Sequence, residues 1–385
     1  MRWLFLFLFS FGILLSTAEY DAFIASAEIS SLAASLKIEG DLSFCGEPVP
    51  AVEQEVKERY EKELLLTLWD RAQVILWLKR SRRYLPYIDE RLRNEGMPED
   101  LMYVPVAESA LRAHAGSSKG AMGYWQFTKS TGRKYGLVID TRIDERRSLF
   151  ASTQAAVRYL KNLHGQFGSW TLAVAAYNMG EDGLMAEILE QGTHDYYHLY
   201  LPLETQRFIF RIISVKVILS APEKFGFHLS DQDYYPPAEF DEIQVDCPQE
   251  TPIRIIAHAA GTSFKAIKDL NPKIRGHNLP KGSHKVLIPK GASLGFQQRY
   301  SQMLEKYLSV KKDSVYIVKQ GDNLSRIAER FGVPTLSLII WNRLDGRRPI
   351  HPGQELAIYR DDSLIGKEAG KATEEKTSSS SSSNE

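Results

Sequence analysis

The chain has 385 residues, 43% of them hydrophobic, and this predicts a globular protein of two or three domains rather than a fibrous one. Its 48 Lys and Arg residues equal its 48 Asp and Glu residues, so the formal net charge is zero. Because proteins that bind nucleic acid present a broad basic field, no nucleic-acid partner is expected.

The N-terminus is predicted to be a secretory signal peptide at residues 1–18. Met1 and Arg2 precede an apolar run at 3–15, and small residues end the segment at Ala18. This is the order of a basic region, an apolar region and a cleavage site. The run is short for a membrane span, and the alternative is an uncleaved anchor, which would then be the membrane contact of the chain. No cysteine follows the run directly, so a lipoprotein anchor is not indicated, and the protein is expected to be exported.

Residues 19–50 are interpreted as a leader, whereas residues 51–230 carry apolar side chains at the three-and-four spacing of helices. This second region is predicted to be one nearly all-α domain. Its basic run at 79–83 is interpreted as a solvated helix face, in preference to a contact with an anionic glycan or lipid. The first buried helix face is predicted from Leu65, Leu68, Trp69, Ala72, Ile75 and Leu76.

Glu108 is a single carboxylate in the largely apolar stretch 103–111, which is predicted to be helical, with Glu108 about two turns inside the helix. Burial disfavours the charged form of a carboxyl group, so its pKa rises and it can donate a proton near neutral pH. A glycosidic general acid needs this property. The alternative is a helix glutamate that forms an ion pair with Arg112, four residues on.

Two further motifs favour the catalytic interpretation. The segments 120–127 (Gly-Ala-Met-Gly-Tyr-Trp-Gln-Phe) and 175–180 (Ala-Ala-Tyr-Asn-Met-Gly) follow Glu108 in order. Together the three motifs resemble the lytic transglycosylase family related to goose-type lysozyme. The resemblance implies a lysozyme-like, mainly α catalytic domain that cleaves the β-1,4 bond between N-acetylmuramic acid (MurNAc) and N-acetylglucosamine (GlcNAc) in peptidoglycan.

The resemblance also implies that the loop after Glu108 binds substrate. Ser117 corresponds to a family serine on the acetamido side of the site, and Gln126 to a glutamine near the catalytic acid. Gly120 and Gly123 are expected where the backbone must approach the sugar closely, because glycine has no Cβ. Trp125 is interpreted as a core residue rather than a sugar platform.

Residues farther along the chain complete the implied site. Tyr177 and Asn178 match the Ala-Tyr-Asn motif, and the tyrosine hydroxyl is expected to orient Glu108 or the acetamido group. Glu204, in the segment Pro-Leu-Glu-Thr, resembles a glutamate that supports the cleft. Phe208 stands where a tyrosine is more usual in the family.

Glycoside hydrolysis ordinarily uses two carboxylates, and only Glu108 is a convincing candidate here. The resemblance implies that Glu108 acts first as an acid and then as a base on the muramic C6 hydroxyl, which yields a 1,6-anhydro product in a lyase reaction without water. The alternatives are a hydrolytic muramidase and a non-catalytic wall-binding protein. The other carboxylates of the region are interpreted as solvated surface charges: Asp140, Asp144, Glu145, Glu181 and Asp182.

No metal or cofactor is expected. His194 and His198 have the spacing of helical zinc ligands, but no third ligand is evident and the surrounding residues indicate a loop. Cys45 and Cys247 could pair in an exported protein, although two unpaired thiols are preferred.

After a polar, proline-containing linker at 231–239, the chain contains an internal repeat. Asn271 of the first copy corresponds to Asn342 of the second, and Gly282 to Gly353. The second copy opens with Tyr-Ile-Val-Lys-Gln-Gly-Asp-Asn-Leu and resembles a LysM module. The predicted fold is therefore a lysozyme-like domain followed by two small βααβ modules, with these boundaries: a degenerate LysM-like module at 240–291, a helical linker at 292–313, a LysM module at 314–360 and a disordered tail at 361–385.

The resemblance implies that LysM modules bind GlcNAc-containing glycans. In the second copy this function would involve Gly321, Asp322, Leu324 and the segment around Asn342. In the first copy Glu250 stands in place of Gly321, so its fold is expected to persist while its sugar binding is in doubt. The expected partner is the glycan strand of peptidoglycan, and the expected location is the periplasm or cell envelope.

Overall fold

The structure, a computed structural model, describes Leu36 and residues 41–313, 315–342 and 344–358. The predicted signal peptide, most of the leader and the predicted tail lie outside the described residues. Within these ranges no helix has the length and apolar character needed to cross a membrane. The chain divides into two compact units, one of residues up to 257 with 262–291, and one of 258–261 with the residues from 292 onward. The helical region and the first repeat copy thus share a unit.

The helical region of the first unit begins with a two-stranded hairpin, β1 (Ser43–Phe44) and β2 (Glu47–Pro48). Short 3-10 helices, such as Glu99–Tyr103, connect several of its elements. The α-helices are α1 (Gln54–Trp69), α2 (Arg71–Asn94), α3 (Val104–Ser109), α4 (Lys129–Lys134), α5 (Leu149–Phe167), α6 (Trp170–Met179), α7 (Glu181–Gln191) and α8 (Leu203–Ser220).

Helix α8 lies at the centre of the helical region. It packs against α1, α3 and α6, and the side chains of Phe208, Ile209, Phe210, Ile212 and Ile213 are fully or almost fully buried. A helix with apolar residues around most of its circumference belongs in a core rather than at a surface. The predicted mainly α domain is confirmed, and the short helix α3 that carries Glu108 rests on this core.

The predicted buried face of the first helix is wrong in phase. The helix stops at Trp69 and a new one starts at Arg71, with the Asp70 carboxylate capping it by accepting a hydrogen bond from the Gln73 amide. This break rotates the second segment relative to the first, so Leu68 stays buried but Trp69 is 84% exposed. The face that is buried consists instead of Val56, Tyr60, Leu64, Leu68, Val74, Trp77 and Leu78.

The basic run at 79–83 is partly exposed, but it also contacts another part of the protein. The Arg82 guanidinium lies 4.0 Å from the centroid of the Tyr234 ring, and Arg83 Nε donates a hydrogen bond of 2.9 Å to the Pro236 carbonyl. A guanidinium is attracted to the face of an aromatic ring, and this attraction stabilises the contact between α2 and the linker. The run therefore fastens the proline-containing linker to α2.

The first repeat copy has the predicted βααβ order. Strand β3 (Phe240–Cys247) pairs antiparallel with β6 (Gly282–Pro289), with Val245 opposite His284. Between them lie β4 (Thr251–Pro252), α9 (Ile253–Ala259), α10 (Phe264–Leu270) and β5 (Asn278–Leu279). Cys45 and Cys247 are both buried and are not joined by a disulfide, as the sequence interpretation preferred.

This first module packs directly on the helical region. Ile143 forms an antiparallel bridge with Ile274, and the Asp144 amide donates a 2.8 Å hydrogen bond to the Lys273 carbonyl. Backbone pairing of this kind fixes position more firmly than side-chain contacts alone. The module is therefore an integral part of the first unit.

The second unit contains the predicted linker helix, α11 (Phe296–Asp313), and the second repeat copy. In that copy β7 (Val315–Ile317) pairs antiparallel with β8 (Glu355–Ala357), around α12 (Leu324–Phe331) and α13 (Thr335–Asn342). A small core of Val318, Ile327, Leu338, Leu356 and Ile358 holds these elements together.

Candidate active site

Glu108 lies in the last turn of the six-residue helix α3, not two turns into a longer one. The helix ends because Ala110 adopts a left-handed conformation, with φ of 54°. The Ala110 carbonyl accepts a hydrogen bond from the Arg80 guanidinium. The next residue after Glu108, Ser109, donates from Oγ to the carbonyl of Tyr124 at 2.8 Å. Polar contacts of the two residues that follow Glu108 thus fix its position.

The Glu108 carboxyl is half-buried, and no hydrogen bond or ion pair reaches it from any part of the chain that the structure describes. Desolvation by burial raises its pKa to about 8, although the Arg211 charge lowers it and the Glu204 charge adds to the increase. The group therefore carries a proton at neutral pH, as a general acid must. Arg112 donates instead to the Ser109 carbonyl, so the alternative Glu108–Arg112 ion pair is not formed.

The loop after Glu108 is built on a buried ion pair that the sequence interpretation missed. Arg146 donates to the carbonyls of Gly120 (3.0 Å) and Phe127 (3.1 Å), and it is paired with Asp144 at 2.8 Å. The interpretation of Asp144 as a solvated surface charge is wrong, because the residue is only 1% exposed. Gly123 is required here by a protein contact, since a Cβ would lie 1.8 Å from the Arg146 carbonyl oxygen.

Ser117 and Gln126 close the same loop. Gln126, at a positive φ of 47°, donates from Nε2 to the carbonyls of Ala115 (3.0 Å) and Gly123 (2.8 Å). Ser117 is exposed, and its Oγ accepts a 3.1 Å hydrogen bond from the Ala121 amide. Both side chains shape the loop, and their predicted contacts with substrate remain predictions.

Tyr177 anchors the loop from helix α6. Its hydroxyl donates a 2.5 Å hydrogen bond to the Trp125 carbonyl rather than to Glu108. Burial and the nearby Glu108 charge hold the pKa of Tyr177 well above its usual value. Trp125 is fully buried and donates from Nε1 to Thr153, which confirms its interpretation as a core residue.

Asn178 and Glu204 occupy the other edge of the site. The Asn178 amide oxygen accepts a 2.9 Å hydrogen bond from Thr205 Oγ1, which ties α6 to α8. Glu204 is exposed and lies 3.3 Å from the Lys119 ammonium. Since its charge also raises the pKa of Glu108, Glu204 lies within electrostatic range of the candidate acid.

Arg211 is the charge at this site that the sequence interpretation did not find. It is half-buried on α8 between Phe210 and Ile212, and its charge opposes the raised pKa of Glu108. A cation flanked by apolar residues on a helix was the signal in the sequence that could have identified Arg211.

The other candidate carboxylates have different functions. Glu181 accepts from the Tyr159 hydroxyl at 2.8 Å, and hydrogen bonding to Lys134 keeps the pKa of Glu181 below its usual value. Asp140 accepts from the amides of two neighbouring residues, which lowers its pKa. His198 lies 2.9 Å from Asp195, and among the described residues no cluster could hold a metal ion.

In the second module the predicted glycan loop is ordered by its own side chains. The Asp322 carboxylate accepts hydrogen bonds from the Tyr316 hydroxyl (2.6 Å) and the Lys319 amide (2.8 Å). Gly321 has φ of 85°, which suits glycine, and Leu324 packs against the module's core. These residues define a loop of fixed shape.

Asn342 has a structural role in the fold of this module. Its side chain donates to the Ala357 carbonyl at 2.9 Å and accepts from the amide of the same residue at 2.6 Å. Asn271 of the first module bonds Leu287 in the same two ways. The shared contact confirms that the two copies are structural repeats.

The first module uses the position equivalent to Gly321 differently. Glu250 lies 3.6 Å from the guanidinium of Arg142 in the helical region, and it accepts a hydrogen bond from Asn278. The loop that would bind glycan in a LysM module therefore contacts protein here.

Comparison with known proteins agrees with this architecture. Residues 86–200 match the transglycosylase SLT domain, residues 316–358 the LysM domain, and residues 239–304 the LysM-like domain of lytic transglycosylase MltD. The protein thus has a helical, lysozyme-like SLT domain followed by LysM-type modules, and the predicted resemblance and fold class are confirmed.

Two similar proteins carry the same name. The chain is 33% identical over 295 residues to membrane-bound lytic murein transglycosylase D of Escherichia coli strain K12 and to that of strain O6:H1 CFT073. The match covers 72% of this chain and 64% of each relative, so the chain spans less than two thirds of their length. A solved structure, an inactive mutant of lytic transglycosylase Slt from Pseudomonas aeruginosa, matches 39% of this chain and 26% of that one, with 20% identity and a TM-score of 0.27.

Proposed function

We propose that the protein is a peptidoglycan lytic transglycosylase, a carbon-oxygen lyase that cleaves the MurNAc to GlcNAc β-1,4 bond and forms 1,6-anhydro-MurNAc. The observation that supports this most is the pKa of Glu108, which burial raises to about 8 within an SLT domain. A protonated carboxyl without a bonded partner is free to give its proton to a substrate oxygen.

In the first step Glu108 donates its proton to the glycosidic oxygen, and the bond from that oxygen to the muramic C1 breaks. The developing positive charge at C1 is stabilised by the 2-acetamido group of the same sugar, as in substrate-assisted enzymes. This leaves Glu108 as a carboxylate, whose charge the nearby Arg211 favours.

In the second step the Glu108 carboxylate takes the proton of the muramic C6 hydroxyl while that oxygen bonds to C1. The proton lost in the first step is thereby regained, and no water is consumed. One residue suffices because acid and base act in succession. A hydrolytic muramidase would instead need a positioned water, and this is the alternative reaction.

The polar atoms left free around the site suit a sugar. Ser117 Oγ accepts from the backbone, so its own proton remains for an acetamido carbonyl. Gln126 uses both Nε2 protons on carbonyls, so its Oε1 remains as an acceptor. Gly123, Tyr177 and Asn178 then act by shaping the loop, and Glu204 by supporting the cleft at its open edge.

The second LysM module is proposed to hold the enzyme on glycan strands through Gly321, Asp322, Leu324 and the segment around Asn342. A weakly binding module raises the local concentration of substrate without a new catalytic contact. The similar E. coli proteins are named membrane-bound, which supports a place in the cell envelope, with the signal segment as the route of export.

Digestion of purified sacculi tests the proposal. Wild-type protein should release muropeptides with anhydro ends, which mass spectrometry distinguishes from reducing ends because they are lighter by one water. Glu108→Gln should release none, and Glu190→Gln, a matched change at an exposed site, should act like wild type. Reducing ends would favour the hydrolase, and undiminished digestion by Glu108→Gln would exclude Glu108 as the acid.

A further inference from the structure

A cavity of about 680 Å³ lies between the helical region and the first LysM-like module, and Glu108 is not among its lining residues. It is bordered by α2, the start of α5, strand β3 and the segment 269–273. Its volume is within the range of about 300–1,000 Å³ that is typical of small-ligand sites. We call it the junction cavity.

Aromatic rings from both parts of the unit form one wall of the junction cavity. The rings of Tyr84 and Tyr124 lie 5.4 Å apart, and those of Tyr87 and Phe150 lie 4.7 Å apart. Phe240 of the first module continues this wall at 5.5 Å from Phe150. Rings in this arrangement offer flat, largely apolar surfaces to the aliphatic parts of a ligand.

Half of the eight charged side chains that line the cavity form ion pairs. Lys285 lies 2.8 Å from Glu242, and Arg82 is paired with Asp231. The Glu145 carboxylate accepts a hydrogen bond of 2.9 Å from the Val138 amide. The charges of the ion-paired groups are largely compensated and are not available to a ligand.

Lys273 is a lining cation whose ammonium has no ion pair or hydrogen bond with any described residue. Its side chain is half-buried, and burial lowers its pKa, although the charges of Glu145 and Glu242 act in the opposite direction. A desolvated ammonium without a direct contact is costly, and the carboxylate of a ligand would supply that contact. Arg83, which uses Nε on the Pro236 carbonyl, is a second lining cation with terminal nitrogens still available.

We propose that the junction cavity binds a short acidic peptide, with its carboxylates on Lys273 and Arg83 and its aliphatic side chains against the tyrosine wall. This inference rests on the proposed function, because the glycan strands of peptidoglycan carry short peptides with free carboxylates. The cavity would then recognise the peptide arm of the substrate at a place separate from the site of bond cleavage.

The cavity wall shares a residue with the loop that follows Glu108, residues 115–127, which we call the active-site loop. The Tyr124 ring lines the cavity, while its carbonyl accepts the hydrogen bond from Ser109, next to Glu108. The residue after Tyr124 is Trp125, whose carbonyl accepts from Tyr177. A peptide in the cavity would therefore contact the same loop that shapes the candidate active site.

Isothermal titration calorimetry on the full chain tests this proposal, with Glu108→Gln in all samples to prevent turnover. The ligands are the peptide L-Ala-γ-D-Glu-L-Lys, the same peptide amidated at its carboxyl groups, and the neutral sugar tetra-N-acetylchitotetraose. We expect the acidic peptide to bind at least about tenfold more tightly than the amidated one. Equal binding of both peptides, or no binding of the acidic one, would overturn the proposal.

Substitutions assign the binding to this cavity. Lys273→Met should weaken the acidic peptide by at least about tenfold, and Lys273→Arg should restore it. Lys281→Met, at an exposed lysine of the same module, should bind like the parent. Undiminished binding by Lys273→Met would show that the peptide binds elsewhere. Binding is measured on the Glu108→Gln protein, whereas cleavage is measured on the wild type. Selective peptide binding, together with a wild-type protein that releases no anhydro product, would therefore refute the proposed reaction alone.

Discussion

Gly123→Ala is expected to destabilise the first unit and to abolish cleavage. A Cβ at this position would lie 1.8 Å from the carbonyl oxygen of Arg146 and 2.5 Å from its carbonyl carbon. The obstacle is backbone, which cannot rotate away as a side chain can. The left-handed φ of +84° adds a cost of about 1–2 kcal/mol for an L residue. With about 1–3 kcal/mol for overpacking, the free energy of unfolding should fall by about 2–5 kcal/mol.

Gly120→Ala is the matched control. Gly120 belongs to the same loop and has a similar φ of +79°, but a Cβ there would meet nothing within 4 Å. This variant should lose only the conformational cost of about 1–2 kcal/mol. The difference between the two variants isolates the contact of Gly123 with Arg146.

Urea unfolding followed by tryptophan fluorescence measures both variants, because Trp125 is buried two residues from Gly123. Turbidity of a sacculus suspension measures cleavage in parallel. Equal losses of stability in the two variants would refute the steric argument. Loss of cleavage by Gly120→Ala, with no loss of stability beyond this conformational cost, would instead support the expected approach of that glycine to the sugar.

Further predictions follow from the charges around Glu108 and from the modules. The proposed reaction needs protonated Glu108, so kcat/KM should fall as the pH rises through about 8, and a profile without this limb would count against the acid step. Arg211→Met should move the limb to higher pH and Glu204→Gln to lower pH, because the first charge lowers the pKa of Glu108 and the second raises it. Asp144→Asn should lower the free energy of unfolding by about 3–5 kcal/mol in urea titrations, since it leaves a buried guanidinium unpaired; a neutral effect would contradict this. Deletion of 314–359 should weaken pelleting with insoluble peptidoglycan, and unchanged pelleting would contradict the tether.

Features that depend on local pattern could be predicted from the sequence. Helical periodicity gave the mainly α region, and the repeat gave both βααβ modules with their shared asparagines, Asn271 and Asn342. Glu108 stood out because a carboxylate in an apolar stretch must be explained, and its raised pKa agrees with that argument. In each case the information is a pattern in the sequence itself and needs no knowledge of which distant residues make contact.

Features that depend on distant partners could not be predicted in this way. Asp144 has polar neighbours in sequence, but its partner Arg146 is held by carbonyls of a loop about twenty residues earlier, so burial cannot be read locally. The basic run at 79–83 contacts a linker that follows the whole helical region. The buried face of the first helix was predicted wrongly because the helix breaks at Asp70, which caps the next helix. One residue outside the helix rotates the side chains of all the residues that follow.

The two repeat copies show how one fold can serve two purposes. In the second copy Asp322 orders a loop through bonds within its own module, which leaves the outer surface of that loop free for a ligand. In the first copy the equivalent loop carries Glu250, which contacts Arg142 of the helical region, and the neighbouring Ile274 extends the same interface through backbone pairing. A loop that contacts protein in this way has less surface to offer a glycan strand. The first module therefore supports the segment around Asp144, which pairs with Arg146 beneath the loop that follows Glu108, and it also forms one wall of the junction cavity.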